Sequence, residues 1–139
     1  MTSFNYTNAP QEYFRPGEIL TMTVGATAIA NTPVSGVVPA TVVEFSGDRL
    51  VIPAAATSMV VAGVALHDAA IGAKVSVACA GVWPVKASGV VTAGARLISG
   101  AVGTVVVAGA TPDARAVIGI ALEAIGSGAV GRVKLIGLG

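Results

Sequence analysis

The fold class of this chain is decided by the stretch Lys74-Val75-Ser76-Val77-Ala78-Cys79. Successive side chains along a β-strand point to opposite faces. Lys74, Ser76 and Ala78 are therefore expected on one face, and Val75, Val77 and Cys79 on the other. Alternation of this kind is typical of a strand with one face in the core.

Similar short runs recur on both sides of this stretch. Near the end of the chain, Arg132 and Lys134 are expected to face water while Val133 and Leu135 enter the core. Further strands are predicted at residues 19–24, 41–45, 49–52, 59–66, 82–86, 96–99, 104–107 and 117–122. Short strands separated by Gly, Ser, Pro and Asp turns indicate a β-sandwich or β-barrel. We therefore predict an all-β fold, a compact single-domain barrel or sandwich of short strands over residues 16–139, with little or no helix.

Residues 1–15 differ from the rest of the chain. They contain four of the six aromatic residues, namely Phe4, Tyr6, Tyr13 and Phe14, and they end at Arg15. No regular period of a helix or strand runs through them. We predict an extended N-terminal arm that docks either on a partner or on the protein's own barrel. These five residues and Trp83 are the candidate residues of an interface with a partner or with another subunit.

The composition indicates a protein that contacts others over much of its surface. Hydrophobic residues make up 54% of the chain and charged residues only 11%, against about 25% charged in ordinary soluble domains. Uncharged surfaces of this kind usually mark interfaces. We expect an oligomer or a component of a lattice, and the alternative is a compact monomer rich in Ala and Gly.

Charge and cysteine content exclude several classes of protein. The net charge is +1 with no basic cluster, so we expect no nucleic-acid partner. The longest charge-free run, residues 19–43, contains Asn31, Pro33 and Pro39, so no membrane-spanning helix is expected. The single cysteine, Cys79, excludes a disulfide within the chain and is compatible with a reducing compartment.

The residues that could carry catalysis are few. His67 is the only histidine, and its neighbour Asp68 would point to the opposite face of a strand, so the pair is interpreted as part of a turn. Cys79 is predicted to face the core and to behave as a small hydrophobic residue. The string from Gly126 to Gly131 has the spacing of a dinucleotide-binding loop, but a strand follows it where that loop requires a helix. We expect no catalytic residue, cofactor or metal.

Two segments of the chain resemble each other. Gly63-Val64-Ala65-Leu66 is matched by Gly119-Ile120-Ala121-Leu122, and each segment is followed at the same distance by Gly-Ala. We interpret them as two similar strand–turn–strand units in one domain. The alternative is chance similarity in a chain dominated by Ala, Gly and Val.

The order of several short segments resembles phage capsid decoration (cement) proteins of the DUF2190 type. The segments are Phe14–Glu18, Ile19–Val24, Ala62–Leu66, Gly72–Val77, Ala80–Ala87, Val91–Leu97 and Ile118–Glu123. The stretch between Pro53 and Leu66 is richer in Ala and Val than is typical of the family. For this reason a head-fibre or spike base, or a receptor-binding (glycan-binding) virion module, remains the alternative.

The resemblance implies a structural virion protein without enzymatic activity. Such a protein would bind the major capsid protein on the capsid exterior as a homotrimer at threefold or quasi-threefold positions. It would be present in the host cytoplasm during assembly. The single tryptophan, Trp83, is expected to anchor the core or an interface.

Overall fold

The computed structural model of this chain describes residues 19–136. Within these residues the chain forms ten β-strands and one short 3-10 turn, Ala101–Gly103, so the predicted all-β class is confirmed. The strands are β1 (Ile19–Val24), β2 (Thr41–Gly47), β3 (Leu50–Pro53), β4 (Val61–Ala65), β5 (Lys74–Ala78), β6 (Gly81–Lys86), β7 (Arg96–Ser99), β8 (Val105–Val107), β9 (Val117–Ala121) and β10 (Val130–Leu135).

The strands form two five-stranded units. Strands β1–β5, here called the first barrel, close in the order β1-β3-β2-β4-β5. Strands β6–β10 form a sheet in the order β6-β10-β9-β7-β8. A parallel bridge between Ala87 and Val105 joins the two edges of that sheet, and we call it the second barrel.

The alternating stretches lie as predicted. In β5, Val75 and Val77 are buried while Lys74 is exposed. In β10, Val133 is buried while Lys134 is exposed. The face of β5 that carries Lys74 is wet at that end only, because Ala78 on the same face is buried in a second cluster of apolar side chains.

The two barrels repeat one topology. Read around each barrel from its first strand, the orders are β1-β3-β2-β4-β5 and β6-β8-β7-β9-β10. Each barrel is closed by a parallel pairing, Val24 with Val51 in the first and Ala87 with Val105 in the second. The ladder between β2 and β4 shifts register after Val43, and the ladder between β7 and β9 shifts at the corresponding point.

The match extends to individual pairs in the hairpins β4–β5 and β9–β10. Ala65 lies opposite Val77 in the first hairpin, as Ala121 lies opposite Val133 in the second. The amide that follows each first strand donates to the second strand over 3.0 Å, in the pairs Leu66 to Ser76 and Leu122 to Arg132. The sequence similarity between the two segments therefore belongs to a repeat of the whole five-stranded unit.

A glycine occupies the same position in both hairpins because the neighbouring backbone approaches closely. A Cβ atom at Gly119 would lie 2.7 Å from the carbonyl oxygen of Lys134, and one at Gly63 would collide with the carbonyl oxygen of Ala78. Only glycine fits such an approach, which explains the glycine that both sequence segments contain.

The two barrels share part of their core. One cluster of buried side chains includes Val42 and Val64 of the first barrel together with Val85, Leu97 and Ile118 of the second. A separate cluster around Val43, Val51 and Val77 fills the interior of the first barrel. The shared cluster means that the barrels pack against each other through apolar surface.

Hydrogen bonds cross the same boundary. The amide of Ala40 donates to the carbonyl of Pro84 over 2.7 Å, and the amide of Gly103 donates to the carbonyl of Ala54 over 2.9 Å. Together with the shared cluster, these bonds make up what we call the barrel–barrel contact.

Candidate functional site

The residues proposed from the sequence for an interface lie mostly outside the described part of the chain. This applies to Phe4, Tyr6, Tyr13, Phe14 and Arg15. Their role as an interface stays a prediction.

The sixth candidate, Trp83, lies half-buried on β6. Its ring packs against the shared cluster, and its Nε1–H donates to the carbonyl of Ala80 over 2.8 Å. The indole therefore has both apolar and polar partners within its own chain. Its participation in a subunit or capsid interface stays a prediction.

His67 fastens a loop to a strand. Its Nε2 accepts a hydrogen bond from the backbone N–H of Ser76 over 3.1 Å, and its Nδ1 lies 2.9 Å from the carbonyl of Asp68. With Nε2 as acceptor, Nδ1 carries the proton and donates to that carbonyl. The ring thus joins the loop after β4 to β5, which agrees with the predicted turn. Among residues 19–136, no group of three His, Cys, Asp or Glu side chains is placed to hold a metal ion.

Cys79 is buried, with 5% of its surface exposed. Burial raises the pKa of its thiol. Because the thiolate is the nucleophilic form, this environment disfavours reaction at the sulfur.

In the described part of the chain, no helix has the length and apolar character needed to cross a membrane.

A hairpin in the connection between β1 and β2 distinguishes the first barrel from the second. Val34 and Val37 bond to each other through both amides, over 2.8 and 3.0 Å. The two residues between them, Ser35 and Gly36, have φ angles of 49° and 83°. Two positive φ angles at the centre of a tight hairpin are characteristic of a type I′ turn. We call residues 30–40 the finger.

A buried asparagine holds the base of the finger. Asn31 is 6% exposed, and its Nδ2 donates to the carbonyl of Ala65 over 3.2 Å. Its Oδ1 accepts from the hydroxyl of Thr41, and its backbone N–H donates to the carboxylate of Asp68. Because every polar group of the side chain is bonded, the finger has a fixed orientation on the first barrel.

The finger presents apolar surface to solvent. Val37 is 46% exposed and Val38 is 53% exposed. Residues 30–40 contain no charged side chain. In the second barrel, the connection between β6 and β7 spans residues 87–95 only and forms no such hairpin. The fold of a barrel therefore does not require the finger, and loops of this kind commonly carry function.

A groove of about 360 Å³ lies at the base of the finger. It runs between Pro39 on one side and Lys86 and the turn Ala101–Gly103 on the other. A second groove of about 360 Å³ lies beyond that turn, against residues 53–56. Lys86 is the one charged side chain in the lining of either groove.

Val102 stands between the two grooves in an unusual backbone conformation. Its φ and ψ are 53° and 50°, and 77% of its surface is exposed. A β-branched residue in the left-handed region is strained, at a cost of about 1–3 kcal/mol. Strain of this kind at an exposed apolar side chain is often found where a protein meets a partner.

The finger, the two grooves and Val102 form one mostly apolar surface, with Lys86 as its one charged side chain, that is suited to binding another protein. The sequence contained a signal for this surface, because the charge-free run of residues 19–43 includes the whole finger. The position of Val102 had no sequence signal, since valine rarely adopts its conformation.

Comparison with known proteins shows a matching family and similar solved structures. A family model described as phage cement protein matches residues 14–135. The solved structure of the N base of the head fiber gp8.5 in bacteriophage phi29 is similar with a TM-score of 0.61 and 22% identity, covering 86% of this chain and 93% of that chain. At this identity the likeness is one of fold. No curated protein matches the chain.

Proposed function

We propose, because the chain belongs to the phage cement protein family, that it binds the outside of the phage capsid and stabilises the shell. It is a structural protein of the virion, and we propose that it acts as a homotrimer at threefold or quasi-threefold positions, with the major capsid protein as its partner. We propose no catalytic step for it.

The observation that carries this proposal is the rigid, uncharged finger of the first barrel. Its exposed valines, Val37 and Val38, lie on a hairpin whose base is fixed by the buried Asn31. A rigid apolar contact binds without the entropy cost of ordering a loop. A neutral surface also avoids the cost of burying unpaired charge against the shell. Repetition of the contact in an oligomer would multiply its strength.

The test is binding of purified protein to expanded capsids that lack it. Bound protein is measured by co-sedimentation, and shell stability by the temperature at which the capsids release DNA. Val38→Asp should weaken binding at least tenfold, since it places a charge in an apolar contact. The matched control is Val90→Asp, because Val90 is 73% exposed in the corresponding connection of the second barrel. Equal binding by the two variants would remove the finger from the contact.

The N-terminal arm is proposed as a second point of attachment. Residues 1–14 carry the aromatic side chains that could give register in an extended contact with the shell. Deleting these residues should leave the thermal unfolding midpoint unchanged and weaken capsid binding. If the deletion leaves the affinity unchanged, the arm has no part in attachment.

A base for a head fibre is the second candidate, favoured by the similar fold of the phi29 head-fiber base. The two functions differ in the number of copies per particle. Quantitative peptide mass spectrometry of purified virions should find a copy number near that of the major capsid protein for a cement protein. A small number of copies would instead indicate a fibre base or another accessory.

A further inference from the structure

We infer that copies of this protein bind one another head to tail, with the first barrel of one copy against the second barrel of the next. In this arrangement the contact between copies repeats the barrel–barrel contact within one chain. The inference rests on the proposed homotrimer and names the surfaces that would form it.

The barrel–barrel contact joins unlike faces of two similar barrels. The first barrel contributes the start of β2 and the loop before β4, while the second contributes β6, the end of β7 and the turn that follows it. A contact between unlike faces is heterologous, so one face of each kind remains unused in every chain. The unused face of the first barrel consists of the elements equivalent to β6, β7 and the turn after β7, namely β1, β2 and the turn after β2. The unused face of the second barrel consists of the elements equivalent to the start of β2 and the loop before β4, namely the start of β7 and the loop before β9.

Equivalent residues identify these faces. Phe45 lies opposite Val51 as Ser99 lies opposite Val105. Met22 lies opposite Val75 on β5, and Val85 occupies the same place on β6. We call Met22, Phe45 and Arg49 the open face of the first barrel. By the same reasoning Gly94, Ala95 and Ala114 form the open face of the second barrel.

Residues at equivalent positions of the two barrels differ in solvent exposure. Ser99 and Val85, which lie in the barrel–barrel contact, are completely buried. Of their equivalents in the first barrel, Phe45 is 43% exposed, while Met22 is half-buried against the interior cluster of that barrel. An exposed phenylalanine at a position that is enclosed in the other barrel is an apolar surface without a partner in its own chain.

Side chains on the two open faces differ in size from their equivalents in the barrel–barrel contact. Within the chain, Ser58 donates its backbone N–H to the hydroxyl of Ser99 over 2.8 Å. Between copies, the equivalent pair would be Ala114 and Phe45. Ala114 precedes β9 as Ser58 precedes β4. Phe45 is much larger than Ser99, and Ala114 lacks the hydroxyl of Ser58, so the pair between copies would be apolar.

A similar difference in side-chain size is found for the residues equivalent to the turn after β7 and its partner. Gly103 packs so closely on Thr41 that a Cβ atom on Gly103 would collide with the threonine methyl group. The equivalent of Gly103 in the first barrel is Arg49, and both residues have positive φ, at 73° and 58°. The equivalent of Thr41 is the smaller Ala95. A large residue on one open face again faces a small one on the other.

A third pair follows the same rule. Ala40 and Val85 form a parallel bridge in the barrel–barrel contact. Their equivalents are Gly94 and Met22, so the residue on the first barrel is larger and the residue on the second is smaller. In all three pairs the residue on the first barrel is larger than its equivalent in the barrel–barrel contact, and the residue on the second barrel is Gly or Ala. Large side chains on one open face would therefore meet small ones on the other.

The open face of the second barrel also contains space for the phenylalanine ring. A groove of about 260 Å³ is lined by Arg96, Ala114, Val117, Ile120 and Ile136. Ala114 is the residue that the repeat places against Phe45. An aromatic ring entering an apolar groove is the usual form of an anchor at a protein interface.

Charges on the two faces are compatible. Asp48 and Arg49 lie in the turn of the first barrel, and Arg96 and Asp113 lie beside the groove of the second. Each face therefore carries both signs, and Asp48 is available to Arg96 of the facing copy, whereas Asp113 is bonded to Arg115 within its own chain. Opposite charges at such a rim give orientation more than affinity.

The test is site-directed cross-linking of the full-length protein. Arg49→Cys and Ala95→Cys are prepared separately, mixed and treated with a short bismaleimide, and the products are resolved by denaturing electrophoresis. The mixture should give a covalent dimer, and the double variant should give a ladder that ends at the trimer. Wild-type protein with reagent controls for Cys79. The pair Ile71→Cys and Ala95→Cys controls for random collision, since Ile71 is 63% exposed and lies outside both open faces.

A second measurement uses the anchor itself. Phe45→Asp should raise the concentration at which the oligomer dissociates at least tenfold, measured by light scattering after size-exclusion chromatography. Val90→Asp should leave that concentration unchanged, and circular dichroism establishes that both variants are folded.

The outcomes separate this inference from the proposed function. If the protein forms an oligomer that gives no cross-link between positions 49 and 95 and that persists in Phe45→Asp, the copies associate through other surfaces. A protein that stays monomeric with or without capsids would overturn both the inference and the homotrimer. Loss of capsid binding with the oligomer and its cross-link intact would overturn only the capsid-binding proposal.

Discussion

The hydroxyl of Ser99 donates a hydrogen bond to the carbonyl oxygen of Ala55 over 2.7 Å, and this bond joins the second barrel to the first. The same hydroxyl oxygen accepts from the backbone N–H of Ser58. Ser99 is completely buried. One small polar side chain thus satisfies two backbone groups of the loop between β3 and β4.

Removing that hydroxyl should weaken the barrel–barrel contact. Ser99→Ala leaves the buried N–H of Ser58 and the partly buried carbonyl of Ala55 without their partner, which costs about 1–3 kcal/mol of unfolding free energy. Urea denaturation followed by tryptophan fluorescence measures the change. Thr104→Ala is the matched control, since its hydroxyl donates to Ala101 at an exposed site. Equal losses in the two variants would contradict the structural role of Ser99.

The glycine of the β4–β5 hairpin should tolerate no side chain. Gly63 has a φ of 155°, and a Cβ atom there would collide with the carbonyl of Ala78. Gly63→Ala is expected to destabilise the fold by about 2–4 kcal/mol through overpacking and strain. Gly89→Ala is the control, because no atom lies within 4 Å of its Cβ position. A melting temperature for Gly63→Ala equal to that of the control would be incompatible with this packing.

The carboxyl group of Asp113 should titrate far below its usual range. A side-chain hydrogen bond from Arg115, followed by its backbone hydrogen bond and charge, lowers the pKa from 3.8 to about 2. A carboxyl with a lowered pKa in the folded state adds stability above its ordinary pKa and loses it as the pH falls toward 2. NMR titration of the side-chain carboxyl measures this pKa. Arg115→Ala should return it toward 3.8, while Lys74→Ala in the first barrel should leave it low.

The thiol of Cys79 should react slowly in the native protein. It is 5% exposed, and burial raises its pKa, so little thiolate is present at neutral pH. Ellman's reagent should modify it only after denaturation, with a rate at least a hundredfold higher in urea. Ile71→Cys, at a position that is 63% exposed and outside both open faces, provides the fast reference. A native rate equal to that reference would show that the thiol is accessible.

The sequence predicted the strands more completely than their assembly. The alternation at Lys74–Ala78 and at Arg132–Leu135 identified two strands and the faces they bury. The run predicted at residues 59–66 became β4 at Val61–Ala65, because strand ends depend on pairing partners that periodicity does not reveal. Closure into two barrels had no local signal, since it depends on parallel pairings between distant residues such as Val24 and Val51.

The candidate surface was predicted in character but not in position. Low charge predicted contact with partners, which stays a prediction, and the structure shows that part of the charge-free run lies exposed on the finger. The residues of the finger and of the open faces were missed because their chemistry is ordinary. Phe45 and Ser99 share no property in the sequence, and only the register of their strands shows that they occupy equivalent places.

The matched hairpins have a consequence for how the chain reaches its native state. Since β4–β5 and β9–β10 share register, turn and glycine position, each is a plausible strand partner for the wrong barrel during folding. Chains with repeated units are prone to such exchange, both within one molecule and between molecules. The finger and the unequal side chains of the open faces then help to make the correct pairing distinguishable. Refolding at rising protein concentration should therefore yield growing amounts of exchanged oligomer, detectable by native electrophoresis, and a yield independent of concentration would count against the exchange.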